Sequence, residues 1–209
     1  MRPGLIATAA LLSALPASGD AIQPTPEQVA VLTTIDSAPA RAQIDLVFGS
    51  DSQASVLAIA RGPTASVGLQ LRAIRVLPQY CLPSCAGTPT HQALTDLVTG
   101  YRAQMASAAL LPQDLLRLRA AIEALGAMRS GLPADVALLT DPALMRHPSR
   151  DVQVTTVHAL RRACSPDLCP HDACVEGANA VRALRSGSDT QVDAAVNIAL
   201  QDLAPCSQP

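Results

Sequence analysis

Lysine and tryptophan are both missing from this chain of 209 residues. All 15 of its basic residues are arginine, which excludes lysine-dependent chemistry, from Schiff bases to the lysine of a phosphate-binding loop. Aromatics are scarce too, with Phe48, Tyr80 and Tyr101 alone. Sheets favour aromatic and β-branched residues, whereas close-packed helices do well with Leu, Val, Ile and Ala. A hydrophobic share of 49% beside an aromatic share of 1% therefore points to an all-α fold. Charged residues make up only 15%, and the net charge of −2 argues against a general nucleic-acid binder. No run reaches the roughly 18 apolar residues of a membrane span.

Sequence motifs for catalysis are absent as well. There is no His-Glu-x-x-His, Gly-x-Ser-x-Gly or Gly-x-Gly-x-x-Gly. Cys-x-x-Cys is missing, which removes the usual redox motif and covalent haem attachment. No cofactor is implied.

Residues 1–19 read as a secretory signal peptide. Arg2 supplies the positive start, and Leu5–Leu15 is an apolar stretch too short to span a bilayer. Cleavage is expected after Gly19 or Ala21, and the lack of a nearby cysteine speaks against a lipid anchor. The mature chain is thus expected in the periplasm or secreted. Residues 20–27 form an extended lead-in, and residues 28–209 one helical domain. Thr25-Pro26-Glu27-Gln28 has the cap and first-turn proline of a helix start. Helices are predicted over Pro26–Ile35, Ala40–Phe48 and Ser52–Arg61, the last stopped by Gly62-Pro63.

The stretch Ser149–Cys164 sets the architecture. Val152, Val154, Val157, Ala159 and Leu160 fall at helical spacing, with polar residues on the other face. Ser149 or Asp151 can cap its start. A helix this short needs neighbours to bury its stripe, and near copies end at Leu77, Leu125 and Leu200. These four leucines are spaced by roughly 35 to 48 residues, close to the period of stacked helix pairs. Partner helices are predicted between them, over His91–Ala108, Pro133–Met145 and Cys174–Arg185.

Asp151–Leu160 (DVQVTTVHAL) and Asp189–Leu200 (DTQVDAAVNIAL) resemble the second helix of HEAT repeats, and Leu69–Leu77 and Arg117–Leu125 are looser versions. The leading Asp is missing from the two earlier units, and Gln153 and Gln191 stand at or beside a position where Arg is common. The resemblance, over about residues 50–204, implies a right-handed α-solenoid of about four to five helix pairs. Most members of that family are scaffolds presenting a concave, helix-lined surface to another protein. A few are lyases or isomerases on bilin chromophores, and nothing in this chain singles out that activity.

Six cysteines, Cys81, Cys85, Cys164, Cys169, Cys174 and Cys206, read first as disulfides in an exported bacterial chain. Cys81–Cys85 would close the turn in CLPSC. For the other four, three connectivities are possible. Cys164–Cys169 with Cys174–Cys206 is preferred, because in an antiparallel helix pair the start of the first helix lies near the end of the second. The alternative is a zinc site of Cys164, Cys169, His171 and Cys174, although the spacing matches no standard finger.

Arg72, Arg75, Arg117, Arg119, Arg161 and Arg162 fall on the second helices, off the apolar stripe, with His158 beside the last two. Lining a concave face, they would form a basic ladder for an acidic peptide or a carboxylate ligand. The expected function is an exported, non-enzymatic interaction scaffold whose partner is another protein or peptide. A zinc-binding protein, or a small-ligand lyase working around His158, are the alternatives.

Overall fold

A computed structural model describes residues 23–33, 38–81, 85–165, 167–185 and 187–207. The expected signal peptide lies outside the described residues, as do the end of the first predicted helix at residues 34–37 and the middle of CLPSC.

The described residues contain eleven α-helices and no strand. They are α1 (Pro26–Leu32), α2 (Arg41–Phe48), α3 (Ser52–Arg61), α4 (Val67–Val76), α5 (Pro89–Met105), α6 (Pro112–Ala127), α7 (Pro133–Leu139), α8 (Pro142–Met145), α9 (Arg150–Ala163), α10 (His171–Ala183) and α11 (Thr190–Asp202). Proline punctuates the chain: α1, α5, α6, α7 and α8 each open on one, where a missing N–H costs nothing. Side-chain caps complete several starts. Thr25 and Gln28 form a capping box at α1, and Ser66, Thr88, Asp141 and Asp189 cap α4, α5, α8 and α11.

Several details depart from the pattern; α10, expected from Cys174, already begins at His171. Pro133–Met145 is two helices, because Pro142 cannot donate to the preceding turn and Asp141 turns its carboxylate onto the N–H of Ala143 at 2.8 Å. Ser149 occupies the cap position of α9 without a side-chain hydrogen bond. Its own N–H donates to Nδ1 of His147 at 2.9 Å instead. The leucine ending the last helix, Leu200, is only partly buried, since α11 closes the row and packs on α9 from one side.

Packing follows a simple order. α4 lies on α6, α6 on α9 and α9 on α11, while α3, α5, α7 with α8, and α10 each pack on a member of that row. Leu77, Leu125 and Leu160 are wholly buried between these layers. On α9 the buried stripe is Val152, Thr156, Val157, Ala159, Leu160 and Ala163. The Thr156 hydroxyl donates to the Val152 carbonyl at 2.8 Å, so it is satisfied inside the core.

Small residues let the helices approach closely where the row is tightest. A Cβ on Gly126 of α6 would stand 2.5 Å from Cα of Ala159 on α9. A Cβ on Gly177 of α10 would meet Sγ of Cys164 at 2.5 Å. Ion pairs run along the same row: Arg75–Glu123 joins α4 to α6 at 3.5 Å, Arg119–Asp151 joins α6 to α9 at 2.9 Å, and Arg161–Asp202 joins α9 to α11 at 3.0 Å. In the other layer Arg61–Asp96 and Arg102–Asp141 do the same at 3.0 and 2.9 Å. Such part-exposed pairs contribute about 0.2–1 kcal/mol each, so they set register more than stability.

Candidate functional site

The arginines expected to form a ladder are largely engaged with one another's helices. Arg75, Arg119 and Arg161 hold the carboxylates just named. Arg117 pairs with Asp114 at 2.7 Å and donates through Nε to Gln70, which in turn donates to the Gly62 carbonyl. Arg72 is half-buried on α4. A continuous basic face is therefore not what these helices present; most of its charge is neutralised on the spot.

The exception lies where α6 and α9 end. An open cleft of about 560 Å³ is lined by Ala127, Arg129, Arg161, Arg162, Ser165 and Asp202. Arg161 and Arg162 come from the last turn of α9, and Arg162 is exposed with no ion pair among the described residues. Arg129 comes from the turn after α6, and its Nη2 donates to the Ser165 hydroxyl at 3.4 Å. Its backbone has φ 48°, the only positive φ of a residue other than glycine among the described residues. That left-handed position just past a helix end is where glycine is usual, and holding a side chain there costs about 1–2 kcal/mol.

The turn is locked by its neighbours. Gly131, at φ 63°, lies so close to the next loop that a Cβ would stand 2.2 Å from the carbonyl oxygen of Leu168. Three guanidinium groups thus share one cleft with a single carboxylate, Asp202, already held by Arg161. Two helix C-termini, whose dipoles favour cations, supply them. Arg129 was not legible as part of a ladder, because it lies on no helix; the signal was its place between a helix end and Ser130-Gly131.

His158 is half-buried on α9 and does not line this cleft. Burial, then the charges of Arg161 and Arg162, hold its pKa below the ordinary histidine value. Burial likewise lowers that of His147. Both histidines therefore favour the neutral form in the fold. Between their folded values and the unfolded value of about 6.5, the unfolded chain binds more protons. Their stabilising contribution is present above that value and is lost as pH falls through the folded ones. The urea midpoint should drop from pH 7.5 to pH 5.5, and by less in a His147→Asn/His158→Gln variant; equal drops in the two proteins would refute the assignment.

His91 joins a buried link that the sequence reading missed. Its Nε2 lies 2.9 and 3.0 Å from the two carboxylate oxygens of Asp135, a residue 1% exposed, and the Ser130 hydroxyl donates to the same carboxylate. Serine and histidine both bind the aspartate rather than each other, so the nucleophile–base contact of a catalytic triad is not made. The link ties the start of α5 to the start of α7.

The structure joins Cys174 to Cys206, with Cα atoms 5.3 Å apart. The two other bridges read from the sequence are not closed, and Cys81, Cys85, Cys164 and Cys169 are buried thiols. The Cys85 thiol points at backbone, 3.3 Å from the Cys81 carbonyl and 3.6 Å from that of Met128. Burial, with Cys81 beside it, pushes the Cys85 thiol up to about 12. Burial and the neighbouring Cys169 do the same to Cys164, also to about 12. Thiols so protonated are poor nucleophiles.

The zinc alternative does not assemble. Cys174 is bonded to Cys206, and His171 stands exposed at the first position of α10. Among the described residues no three possible metal ligands gather. No helix among them is long and apolar enough to cross a membrane. No family model, curated protein or solved structure gives a significant match to this chain, so the geometry of the site carries the functional reading.

Proposed function

We propose that this chain is an exported, non-enzymatic scaffold of the HEAT-like, right-handed α-solenoid type, and that it holds an acidic segment of a partner protein in the cleft of Arg129, Arg161 and Arg162. The observation that carries this reading is the convergence of three guanidinium groups on one open cleft containing a single carboxylate. Guanidinium groups pair with carboxylates through two parallel hydrogen bonds, which gives an acidic peptide both affinity and orientation. Because the other row arginines hold neighbouring helices together, the binding surface contracts from the whole face to the ends of α6 and α9. The bonded Cys174–Cys206 pair fits an oxidising compartment.

The test is fluorescence anisotropy with a labelled glutamate-rich decapeptide at low and high salt. Binding should weaken with salt, as exposed charge pairs do. Arg129→Glu and Arg162→Glu should each lower affinity by about tenfold or more. Arg41→Gln, on α2, should leave it unchanged. Binding that ignores both charge reversals would sink the proposal.

A further inference from the structure

A second cavity lies away from the basic cleft, between the end of α5, the start of α6 and the turn from α8 to α9. Its volume is about 560 Å³, within the range of small-molecule pockets of roughly 300–1,000 Å³. Met105, Leu110, Leu115 and Ala143 give it apolar walls, and its polar groups include Arg146 and His147. We infer that this cavity binds a small carboxylic acid with an aliphatic body.

His147 is 8% exposed, and both its ring and its backbone are held. Nδ1 accepts the Ser149 N–H at 2.9 Å, while the His147 carbonyl accepts from Nε2 of Gln153 at 2.7 Å. With Nδ1 occupied as an acceptor, the proton of the neutral ring sits on Nε2. That N–H has no hydrogen-bond partner among the described residues, and the ring lines the cavity. Burial favours the uncharged ring that this tautomer requires.

Arg146, the neighbouring residue, is exposed and has no ion pair among the described residues. The cavity therefore offers one immobilised donor without an acceptor and one cation without a counterion, above an apolar floor. A carboxylate answers both, taking the N–H on one oxygen and the guanidinium on the other. An amine would be repelled by the arginine. An alcohol would leave that charge unpaired, and a polyphosphate would set several charges against apolar walls. The chemistry left is a monocarboxylate carrying methylene groups.

The experiment is calorimetric titration of the intact protein with decanoate, followed by NMR of the Met105 methyl. Decan-1-ol and decyltrimethylammonium, which share the chain length, serve as comparisons. Saturable decanoate binding is expected, about tenfold or more tighter than either comparison. Arg146→Gln should reduce it by about tenfold. His147→Asn should also weaken it, because the asparagine oxygen can still accept the Ser149 N–H while the ring donor is gone. Arg129→Glu, in the other cleft, should change nothing, which separates this site from the proposed peptide site. Decanol binding as tightly as decanoate, no saturable binding, or indifference to both substitutions would overturn the inference.

Discussion

Replacing Cys174 and Cys206 together by alanine should lower the free energy of unfolding by about 3–4 kcal/mol. The bridge closes a loop of 32 residues, and removing it returns to the unfolded chain the freedom that the closure withheld. Both cysteines are buried, at 2% and 1% exposure, so the alanines also leave part of the core unfilled. The loss should be local before it is global. α11 packs on α9 from one side, and the bridge fastens the short turn after it back to α10. Urea unfolding without reductant gives the magnitude, and hydrogen exchange gives the place. Protection should fall first in α10 and α11, while α4, α6 and α9 keep theirs. A loss below about 1 kcal/mol, or one spread evenly over all helices, would mean that the bridge is not what holds the last pair.

Much of this fold could be read from local sequence. The helix Ser52–Arg61 stops where Gly62-Pro63 dictates, and the stripe of α9 is visible as spacing alone. The Cys174–Cys206 pairing followed from a rule about antiparallel helices, which needs no coordinates. What could not be read depends on contacts between residues far apart in the chain. Nothing in the sequence says that Arg119 meets Asp151 or that Arg161 meets Asp202, so a set of arginines off the apolar stripe looked like a free surface. Nor does any local pattern join His91 to Asp135, 44 positions away. Arg129 was hidden for another reason. Its importance lies in a left-handed backbone conformation that residue types suggest only weakly.

Gly126→Ala is expected to destabilise the protein by about 1–3 kcal/mol, the reverse of what alanine does in an open helix. The added Cβ would stand 2.5 Å from Cα, 2.8 Å from Cβ and 2.8 Å from the carbonyl oxygen of Ala159. Two of those three atoms are backbone, so no rotamer change relieves the contact and α6 must move away from α9. Gly100, in the middle of α5, provides the comparison. It is exposed, and a Cβ there meets nothing within 4 Å. Gly100→Ala should therefore stabilise by about 0.5–1 kcal/mol, the ordinary gain from replacing a helical glycine. Opposite shifts in the urea midpoint for the two variants are the expected result; equal shifts would mean that the α6–α9 interface has room to spare. The same displacement bears on function, because α6 leads into Arg129 and α9 carries Arg161 and Arg162. Parting these helices separates the guanidinium groups, so Gly126→Ala should weaken acidic-peptide binding even under conditions where the variant remains folded, whereas Gly100→Ala should leave it intact.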